Sequence, residues 1–488
     1  MYSQKRCESL DTYLEFFSKE FPEKIFIYDL KQNLGFSYRK TNELVDSLCL
    51  YFKDQGFKQG DIITFYLDNC VELALLLLAS LRFGTTAFLY PSLFIPAELK
   101  KDLGSIPSKA VFVNAEKAEE LRTKTRQRLI VVKNQGPDGF LDKIAGLNGR
   151  YDQKEIRPED NALLYQSAGA SFHPRGIFYT HGNLAALIPS ICRGLHFSDT
   201  DIHLIGLPLA HSAALNYSLF PALMTGGSVI LADSFWNIRN SFWKICGLYG
   251  VTYVEVVPTV LYMLHHLPFD RSDRKAFDTL KYIGCGSAPL SESMQTEFEK
   301  KFGLPAANLY GLTETGPTHV DYPLSTEWRR GTIGKPLDVN RIKILDKNGQ
   351  ECDLGKKGEI AVKGENIFPG YAVKPELTQK YFKQDYFCTG DIGSADREGY
   401  FYFYERKKEL IIRGGINIHP DEINEVVLSH PQVEKCRTES IPNDFLGEQI
   451  KTSIVLKTKS SLSERELKDY CSLYLSPIKI PDFIEIER

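Results

Sequence analysis

The side chains best suited to chemistry lie together in the segment 308–315, which reads Asn-Leu-Tyr-Gly-Leu-Thr-Glu-Thr. It supplies an aromatic ring at Tyr310, a small flexible residue at Gly311, a hydroxyl at Thr313 and a carboxylate at Glu314. An adenine, an α-phosphate and a magnesium ion would need such groups in about this order. The same residues also suit an ordinary strand followed by a turn, so the hypothesis depends on further motifs along the chain.

A second candidate is the segment 167–176, Ser-Ala-Gly-Ala-Ser-Phe-His-Pro-Arg-Gly, which follows a strand-like run at 162–165. Small residues let backbone amides approach anionic oxygens, and hydroxyls and a cation can hold a triphosphate. No Gly-Lys-Ser/Thr closes the segment, so it is not a Walker loop. A surface loop of small residues is the alternative, and the segment taken alone favours it.

Together with the segments described next, these motifs make the chain resemble the adenylate-forming superfamily of acyl-CoA synthetases, aryl-acid ligases, luciferases and nonribosomal adenylation domains. The phosphate loop of that family reads Thr-Ser-Gly-Thr-Thr-Gly-x-Pro-Lys-Gly. The resemblance assigns ATP contacts to Ser167, Gly169 and Ser171, and a catalytic charge to Arg175. This loop has fewer hydroxyls and glycines than the family pattern, and a guanidinium is not equivalent to the family's ammonium.

A Leu-Pro-Leu-Ala-His run at 207–211, followed by a Gly-Gly pair, resembles the family segment that lines the acyl pocket. The resemblance places His211 near the substrate carboxylate, with a core histidine as the alternative. The aspartate that binds the α-ammonium in amino-acid-activating relatives falls on Ala213, and a buried ammonium without a counter-charge is costly. A non-amino carboxylic acid is therefore expected, and Ala213, Ala214 and Tyr217 favour an apolar acyl or aryl group.

A Gly-Cys-Gly-Ser-Ala-Pro-Leu segment resembles the one that packs against the adenine in relatives. By resemblance, the base lies between this segment and the aromatic ring, and its contacts are Gly286, Ser287 and Ala288 on one face, Tyr310 on the other, and Asn308 at the exocyclic amine.

The phosphate and ribose contacts follow from the same resemblance. Thr313 would bind the α-phosphate and Glu314 would hold Mg²⁺, with Gly311 just before them. A single carboxylate is enough, because magnesium is usually held by one or two carboxylates together with phosphate oxygens. Asp391 would accept hydrogen bonds from both ribose hydroxyls, and Arg406 would donate to the ribose. A turn aspartate and a solvated arginine are the alternatives, which the ordered matches along nearly the whole chain oppose.

Two further positions resemble the parts of the family that move between half-reactions. Lys408 falls where relatives keep the hinge about which a small domain rotates. Gly414 and Gly415 fall in the segment that lines the pantetheine tunnel of relatives. A tight turn before a helix is the alternative for the glycines, and both interpretations can hold at once.

One feature departs from the family. Relatives end with a Gly-Lys turn whose lysine bridges the acyl carboxylate and the α-phosphate, whereas 479–488 resembles only the strand before that turn. Loss of such a charge typically slows a step by about 10²- to 10³-fold. Three alternatives stay open: slow adenylation in a shortened or natural variant, partial replacement by Arg175 or another cation, or a chain that mainly runs the thioester step or only binds acyl-adenylate.

The elements that must position these residues alternate between strand-like and helical runs, which favours α/β architecture with largely parallel sheets. Strands are predicted at 62–67, 110–113 and 253–257, and a buried helix at 71–83. Frequent glycines at 331–371 predict short strands joined by tight turns.

The predicted fold has a large N-terminal domain at 1–404, a hinge at 405–408 and a small, mobile C-terminal α+β lid at 409–488. The large domain should contain two mixed or parallel sheets with helices, and a small β-rich subdomain.

Composition excludes several other classes of protein. The chain of 488 residues has a net charge of −3 and no basic cluster, so no nucleic-acid partner is expected. No apolar run approaches the roughly 20 residues that span a bilayer, so no integral membrane segment is expected. The 10 cysteines include no Cys-x-x-Cys pair, which indicates reduced thiols in a cytoplasmic protein.

The resemblance implies ATP and Mg²⁺ as cofactors and a small carboxylic acid as the substrate. The acid would become an acyl-adenylate and pass to the thiol of CoA or to the phosphopantetheine of an acyl- or peptidyl-carrier protein, with release of pyrophosphate and AMP. The alternative is a weakened or single-step relative that binds nucleotide or acyl-adenylate without full turnover.

Overall fold

The structure, a computed structural model, describes residues 9–123, 125–133, 139–147, 149–166, 176–268, 275–373, 375–407, 410–443, 445–458 and 460–487. The predicted phosphate-loop residues Ser167, Gly169, Ser171 and Arg175 and the predicted hinge residue Lys408 lie outside these ranges.

The strands are β1 (Ile25–Asp29), β2 (Leu34–Ser37), β3 (Ile62–Tyr66), β4 (Thr86–Leu89), β5 (Ala110–Val113), β6 (Leu129–Val131), β7 (Asn161–Tyr165), β8 (Ile177–Thr180), β9 (Ile202–Ile205), β10 (Ser228–Leu231), β11 (Tyr253–Val256), β12 (Tyr282–Cys285), β13 (Ala306–Leu312), β14 (Gly316–Val320), β15 (Lys335–Pro336), β16 (Asn340–Leu345), β17 (Gly358–Gly364), β18 (Phe382–Lys383), β19 (Tyr386–Ala395), β20 (Phe401–Arg406), β21 (Ile411–Arg413), β22 (Ile416–Ile418), β23 (Val433–Asn443), β24 (Gly447–Leu456) and β25 (Phe483–Glu487).

The helices are α1 (Asp11–Glu20), α2 (Tyr38–Asp54), α3 (Val71–Phe83), α4 (Pro96–Ser105), α5 (Ala115–Arg122), α6 (Phe140–Ala145), α7 (His181–Gly194), α8 (Ser212–Ala214), α9 (Phe220–Thr225), α10 (Phe235–Ile238), α11 (Phe242–Tyr249), α12 (Pro258–His266), α13 (Ala276–Thr279), α14 (Glu292–Phe302), α15 (Pro420–Leu428) and α16 (Glu464–Ser472). A π-helical turn, Leu215–Leu219, joins α8 to α9, and short 3₁₀ helices lie at Pro375–Tyr381 and Pro477–Lys479.

Two sheets form the framework of the large domain. The first has the strand order β15-β14-β13-β12-β11-β9-β10-β1-β2, and its central pairs from β13 to β1 are parallel. The second has the order β6-β5-β3-β4-β7-β8, with antiparallel pairing only between β7 and β8. The predicted α/β architecture is confirmed.

Helix α3 forms and is buried because of its apolar sequence and the glycine that follows it. Its residues are apolar almost throughout and every one of them is buried. It ends at Phe83 and is capped by Gly84, which adopts the left-handed conformation (φ +84°) that glycine reaches without steric cost. The helix therefore forms part of the core of the large domain, as its apolar run predicts.

The glycine-punctuated segment 331–371 contributes β16 and β17 to a five-stranded antiparallel sheet, and β18, β19 and β20 complete this sheet. In this sheet β19 pairs with β20 so that Asp391 lies opposite Arg406. Because this pairing continues through Arg406, strand β20 extends two residues beyond position 404.

The C-terminal unit has its own sheet, β22-β21-β24-β23 with β25 parallel to β24, and two helices, α15 and α16. Its core is separate from that of the large domain and includes Ile411, Ile423, Ile450 and Leu467. The predicted α+β unit is therefore confirmed as a fold.

The cysteines at described positions are free thiols, and most are buried. Among the helices of the described part of the chain, none has the length and hydrophobicity that crossing a membrane requires.

Candidate active site

Three side chains from separate segments meet at the centre of the candidate nucleotide site. Tyr310, on β13, donates its hydroxyl hydrogen to Oδ2 of Asp391 over 2.7 Å. Arg406 donates to the same carboxylate through Nε (2.5 Å to Oδ1) and Nη2 (2.9 Å to Oδ2). Burial, and then the negative charge of Asp391, raises the pKa of Tyr310, so the phenol stays protonated and donates. The sequence-predicted base and ribose positions are thus brought together.

The predicted adenine contacts lie at neighbouring strand ends. Parallel strands β12 and β13 pair Cys285 with Asn308, so Gly286 follows directly beside the start of the Tyr310 segment. Ser287, just after it, adopts a left-handed backbone (φ +67°) and, like Ala288, is half-buried. Non-glycine residues in this conformation cluster at ligand sites, and the carboxyl ends of parallel strands are where open α/β sheets bind ligands.

Asn308 and Gly311 are fixed by their surroundings. The side-chain nitrogen of Asn308 donates to the carbonyl of Thr332 over 2.7 Å, which fixes the orientation of the amide group. A Cβ on Gly311 would lie 2.2 Å from the carbonyl oxygen of Gly316 on the adjacent strand. Only glycine therefore fits at position 311.

Thr313 and Glu314 line a cavity of about 550 Å³ at the end of β13. Tyr371 donates its hydroxyl hydrogen to Oε1 of Glu314 over 3.0 Å and so orients the carboxylate. The N–H of Ala372, the next residue, donates to the carbonyl of Gly176 over 2.9 Å. A role for Tyr371 was not predicted from the sequence. The one feature that could have indicated it is an aromatic hydroxyl directly after Gly370.

His211 lines the same cavity. Its Nδ1 accepts a hydrogen bond from the N–H of Ala213 over 3.3 Å, so the neutral ring carries its hydrogen on Nε2. Burial lowers the pKa of His211 to about 4, which keeps the ring neutral at pH 7. His211 can therefore donate one hydrogen bond without adding charge.

The other predicted acyl-pocket residues lie in the core, whereas His211 lies in the cavity wall. Ala213, Ala214 and Tyr217 lie on α8 and the π-helical turn after it and are packed in the core of the large domain. Among the described residues that line the cavity, His211 and Ser212 are present and these three are not.

Basic side chains are grouped in the cavity wall. Lys380, Lys383, Arg406 and Lys407 all line it, and Lys407 pairs with Glu359 over 2.9 Å. Among the described residues that line the cavity, these four basic side chains outnumber the two carboxylates, Glu314 and Glu359, and the excess of positive charge suits an anionic ligand such as a phosphate-bearing molecule.

The C-terminal unit closes one side of this cavity with Leu410, Ile416, Asn417 and His419. Gly415, just before β22, has φ +81°, and a Cβ there would lie 2.5 Å from Cγ1 of Val257 in the large domain. Gly414 also has a positive φ (+58°), but a Cβ there would meet no atom within 4 Å. Of the two predicted tunnel glycines, Gly415 makes the close contact between the two units.

A magnesium ion fits this site only together with a phosphate ligand. Within the ranges that the structure describes, no group of three or more His, Cys, Asp and Glu side chains could hold a metal ion. Glu314 supplies one carboxylate beside the Thr313 hydroxyl in the cavity. This donor set matches magnesium bound through one carboxylate and the oxygens of a nucleotide.

Comparisons with known proteins agree with this geometry. The chain is 28% identical to an oxalate–CoA ligase of Arabidopsis thaliana, with 97% of this chain and 94% of the relative covered. It is also 28% identical to a sulfoacetate–CoA ligase of Cupriavidus necator, with 95% and 91% covered. Among solved structures, the o-succinylbenzoate CoA synthetase of Bacillus subtilis, bound to a product analogue, superposes with a TM-score of 0.85 at 25% identity and covers 97% of this chain and 94% of that one.

A family model described as "AMP-binding enzyme" matches residues 14–372, which contain Tyr310, Glu314 and His211. The chain therefore belongs to the AMP-binding enzyme family.

Proposed function

We propose that this AMP-binding enzyme is an acid–thiol ligase that activates a carboxylic acid with ATP and passes the acyl group to CoA. The observation that carries the proposal is the Tyr310–Asp391–Arg406 cluster beside the cavity that holds Glu314 and His211. The relatives named above as CoA ligases, which align along nearly their whole length, support it.

In the first step, a carboxylate oxygen of the acid attacks the α-phosphorus of ATP. The bond to the β-phosphate oxygen breaks, and pyrophosphate leaves with the electron pair. Tyr310 packs against the adenine, Asp391 accepts hydrogen bonds from the ribose, and Arg406 holds Asp391 in place. Catalysis comes from positioning and from charge stabilisation rather than from a covalent intermediate on the protein.

Glu314, oriented by Tyr371, would hold Mg²⁺ together with the nucleotide phosphates, and Thr313 would bind the α-phosphate. Magnesium bound there would neutralise charge that develops on the phosphate oxygens. Neutral His211 can donate its Nε2 hydrogen to an oxygen of the substrate carboxylate and orient it.

In the second step, the thiol sulfur attacks the acyl carbon of the adenylate. The carbon–oxygen bond to the phosphate breaks, AMP leaves, and the thiol proton passes to solvent. The cavity between His211 and the C-terminal residues Ile416, Asn417 and His419 gives the thiol a route to this carbon. Phosphopantetheine on a carrier protein carries the same thiol and could enter by the same route.

For the acid, we propose a small, non-amino compound. The support from the sequence is that Ala213 falls where amino-acid-activating relatives keep the aspartate that binds an ammonium, although Ala213 and Ala214 themselves are packed in the core beside the cavity residue Ser212. The two relatives described above are ligases of small acids, oxalate and sulfoacetate. We further propose that 1–404 and 409–488 act as two units joined at 405–408, with Lys408 as the pivot, and that Ser167, Gly169, Ser171 and Arg175 contact the triphosphate.

The proposal is tested by ATP–pyrophosphate exchange with a panel of acids, followed by a CoA thioester assay with the acids that support exchange. The panel should include dicarboxylates, short alkanoates, aryl acids and amino acids. Exchange with a non-amino acid and formation of its CoA thioester are expected. No exchange with any acid, or exchange confined to amino acids, would overturn the proposal.

A further inference from the structure

Lys479 is a buried lysine that lies at the contact between the C-terminal unit and the large domain. Its side chain is 2% exposed and its ammonium lies between two carboxylates. Nζ is 2.6 Å from Oε1 of Glu98, on α4 of the large domain, and 2.7 Å from Oε1 of Glu422, on α15 of the C-terminal unit. One cation therefore bridges the two units.

The surrounding contacts fix this bridge in place. Nζ lies 3.9 Å from the centroid of the Phe94 ring, a distance at which a cation and an aromatic face attract. The hydroxyl of Ser476 donates to Oε2 of Glu98 and accepts from the N–H of Ile95 over 3.0 Å. The segment from Ser476 to Lys479 is thus docked against the first turn of α4.

The two carboxylates of the bridge, Glu98 and Glu422, each lie a few residues along the chain from a residue that lines the cavity. Phe94 lines the cavity wall from the large domain. Glu422 lies in the first turn of α15, three residues after His419, which lines the cavity from the C-terminal unit. A buried ammonium without counter-charges would be strongly unfavourable, so this packing is stable only when Glu98 and Glu422 are both close to Lys479.

We infer that Lys479 is a positioning residue for acyl transfer to the thiol. By joining Glu98 to Glu422 it holds the C-terminal unit so that Asn417 and His419 face the large-domain half of the cavity. The inference rests on the proposed function. It predicts that the bridge affects acyl transfer to the thiol but not activation of the acid. The nucleotide contacts Tyr310, Asp391 and Glu314 all belong to the large domain, so activation of the acid does not depend on the bridge.

The test replaces the bridge and measures each half-reaction separately. Lys479→Met alone leaves the buried carboxylate of Glu98 without a counter-charge, so the main variant is the double replacement Lys479→Met with Glu98→Gln, which removes the charge of both residues. Pyrophosphate exchange reports activation, and thioester formation from chemically prepared acyl-adenylate and CoA reports transfer. Lys468→Met is the matched control, because Lys468 pairs with Glu464 inside the C-terminal unit.

Transfer is expected to fall by about 10- to 100-fold in the double variant, as for other misplaced reacting groups, while exchange stays within about threefold of the wild type. Lys468→Met should leave both rates near those of the wild type. An unchanged transfer rate in the double variant, or a parallel fall in both half-reactions, would overturn the inference.

Backbone hydrogen exchange provides a readout that does not need activity. In the double variant, amides of 94–105 and 416–423 should exchange faster, whereas those of α16 should keep their protection. Unchanged protection of 94–105 and 416–423 would overturn the inference even if no acid supported turnover. A wild-type enzyme without exchange for any acid would instead overturn the proposed function.

Discussion

The phenol of Tyr310 and the carboxylate of Asp391 share a hydrogen bond of 2.7 Å although 81 positions separate them in the chain. This contact joins the end of a strand in the largest sheet to a strand of the β-rich sheet. The two residues predicted to hold the base and the sugar of one nucleotide are therefore close enough to do so.

Replacement of Asp391 by Asn should weaken ATP binding. The variant loses the negative charge that pairs with Arg406 and accepts from the ribose. Hydrogen bonds to charged groups contribute about 1.5–3 kcal/mol, so the KM for ATP should rise by roughly 10- to 100-fold. Pyrophosphate exchange at varied ATP measures this. Asp385→Asn, at an exposed turn of the same sheet, is the control. A KM for ATP in Asp391→Asn equal to that of the wild type would refute the ribose assignment.

Replacement of Glu314 by Gln should slow activation of the acid by about 10²- to 10³-fold, because a charge stabiliser is lost from the transition state. Tyr371→Phe keeps the carboxylate but removes its 3.0 Å hydrogen bond, so the loss should be smaller, about 2- to 10-fold. Hydroxamate formation with varied Mg²⁺ measures both. Wild-type rates in Glu314→Gln would discredit the phosphate and metal assignment.

The two adjacent glycines provide a matched pair for the contact between the units. Gly415→Ala and Gly414→Ala both place a Cβ at positive φ, which costs roughly 1 kcal/mol in each case. Only Gly415→Ala also brings that Cβ to 2.5 Å from Val257. Gly415→Ala should therefore slow thioester formation, and Val257→Ala in the same chain should restore part of the rate. Equal effects of the two alanines on transfer would contradict this role for Gly415.

Buried His319 should make the protein less stable in acid. Burial lowers its pKa to about 3, against about 6.5 in the unfolded chain. Between these values the unfolded state binds one more proton, so the free energy of unfolding falls by about 1.4 kcal/mol per pH unit as pH falls. Above pH 6.5 the contribution is constant.

His319→Gln removes this titration. Urea unfolding at pH 7.5, 6 and 5 should therefore give a smaller loss of stability in the variant than in the wild type. Identical pH dependence in the two proteins would show that the pKa of His319 is the same in the folded and unfolded states, which contradicts this prediction. The two proteins are compared by the slope of the free energy of unfolding against pH, because the substitution can also change the stability at pH 7.5.

Much of the framework was predictable because its signals are local. The apolar run at 71–83 became α3 at the predicted limits, and the runs at 62–67 and 253–257 became β3 and β11 with one residue less at the end. At Val257 the reason is physical: it precedes a proline, which begins α12.

Other features depend on packing between distant segments. A lone lysine before Ile480 gives no sign that two carboxylates from different helices will surround it. Strand β20 passes position 404 because Arg406 pairs with Asp391, a contact that the charged composition of 405–409 conceals. Tyr217 lies within the π-helical turn Leu215–Leu219, and its side chain packs in the core of the large domain, which its position in the sequence does not reveal.

A crystal structure with bound AMP tests the central claim most directly. The adenine should lie on the ring of Tyr310, with Gly286 to Ala288 on its other face, and the ribose hydroxyls should lie within hydrogen-bond distance of Asp391. AMP bound in a different cavity, or Tyr310 and Asp391 making no contact with the same nucleotide, would contradict the account.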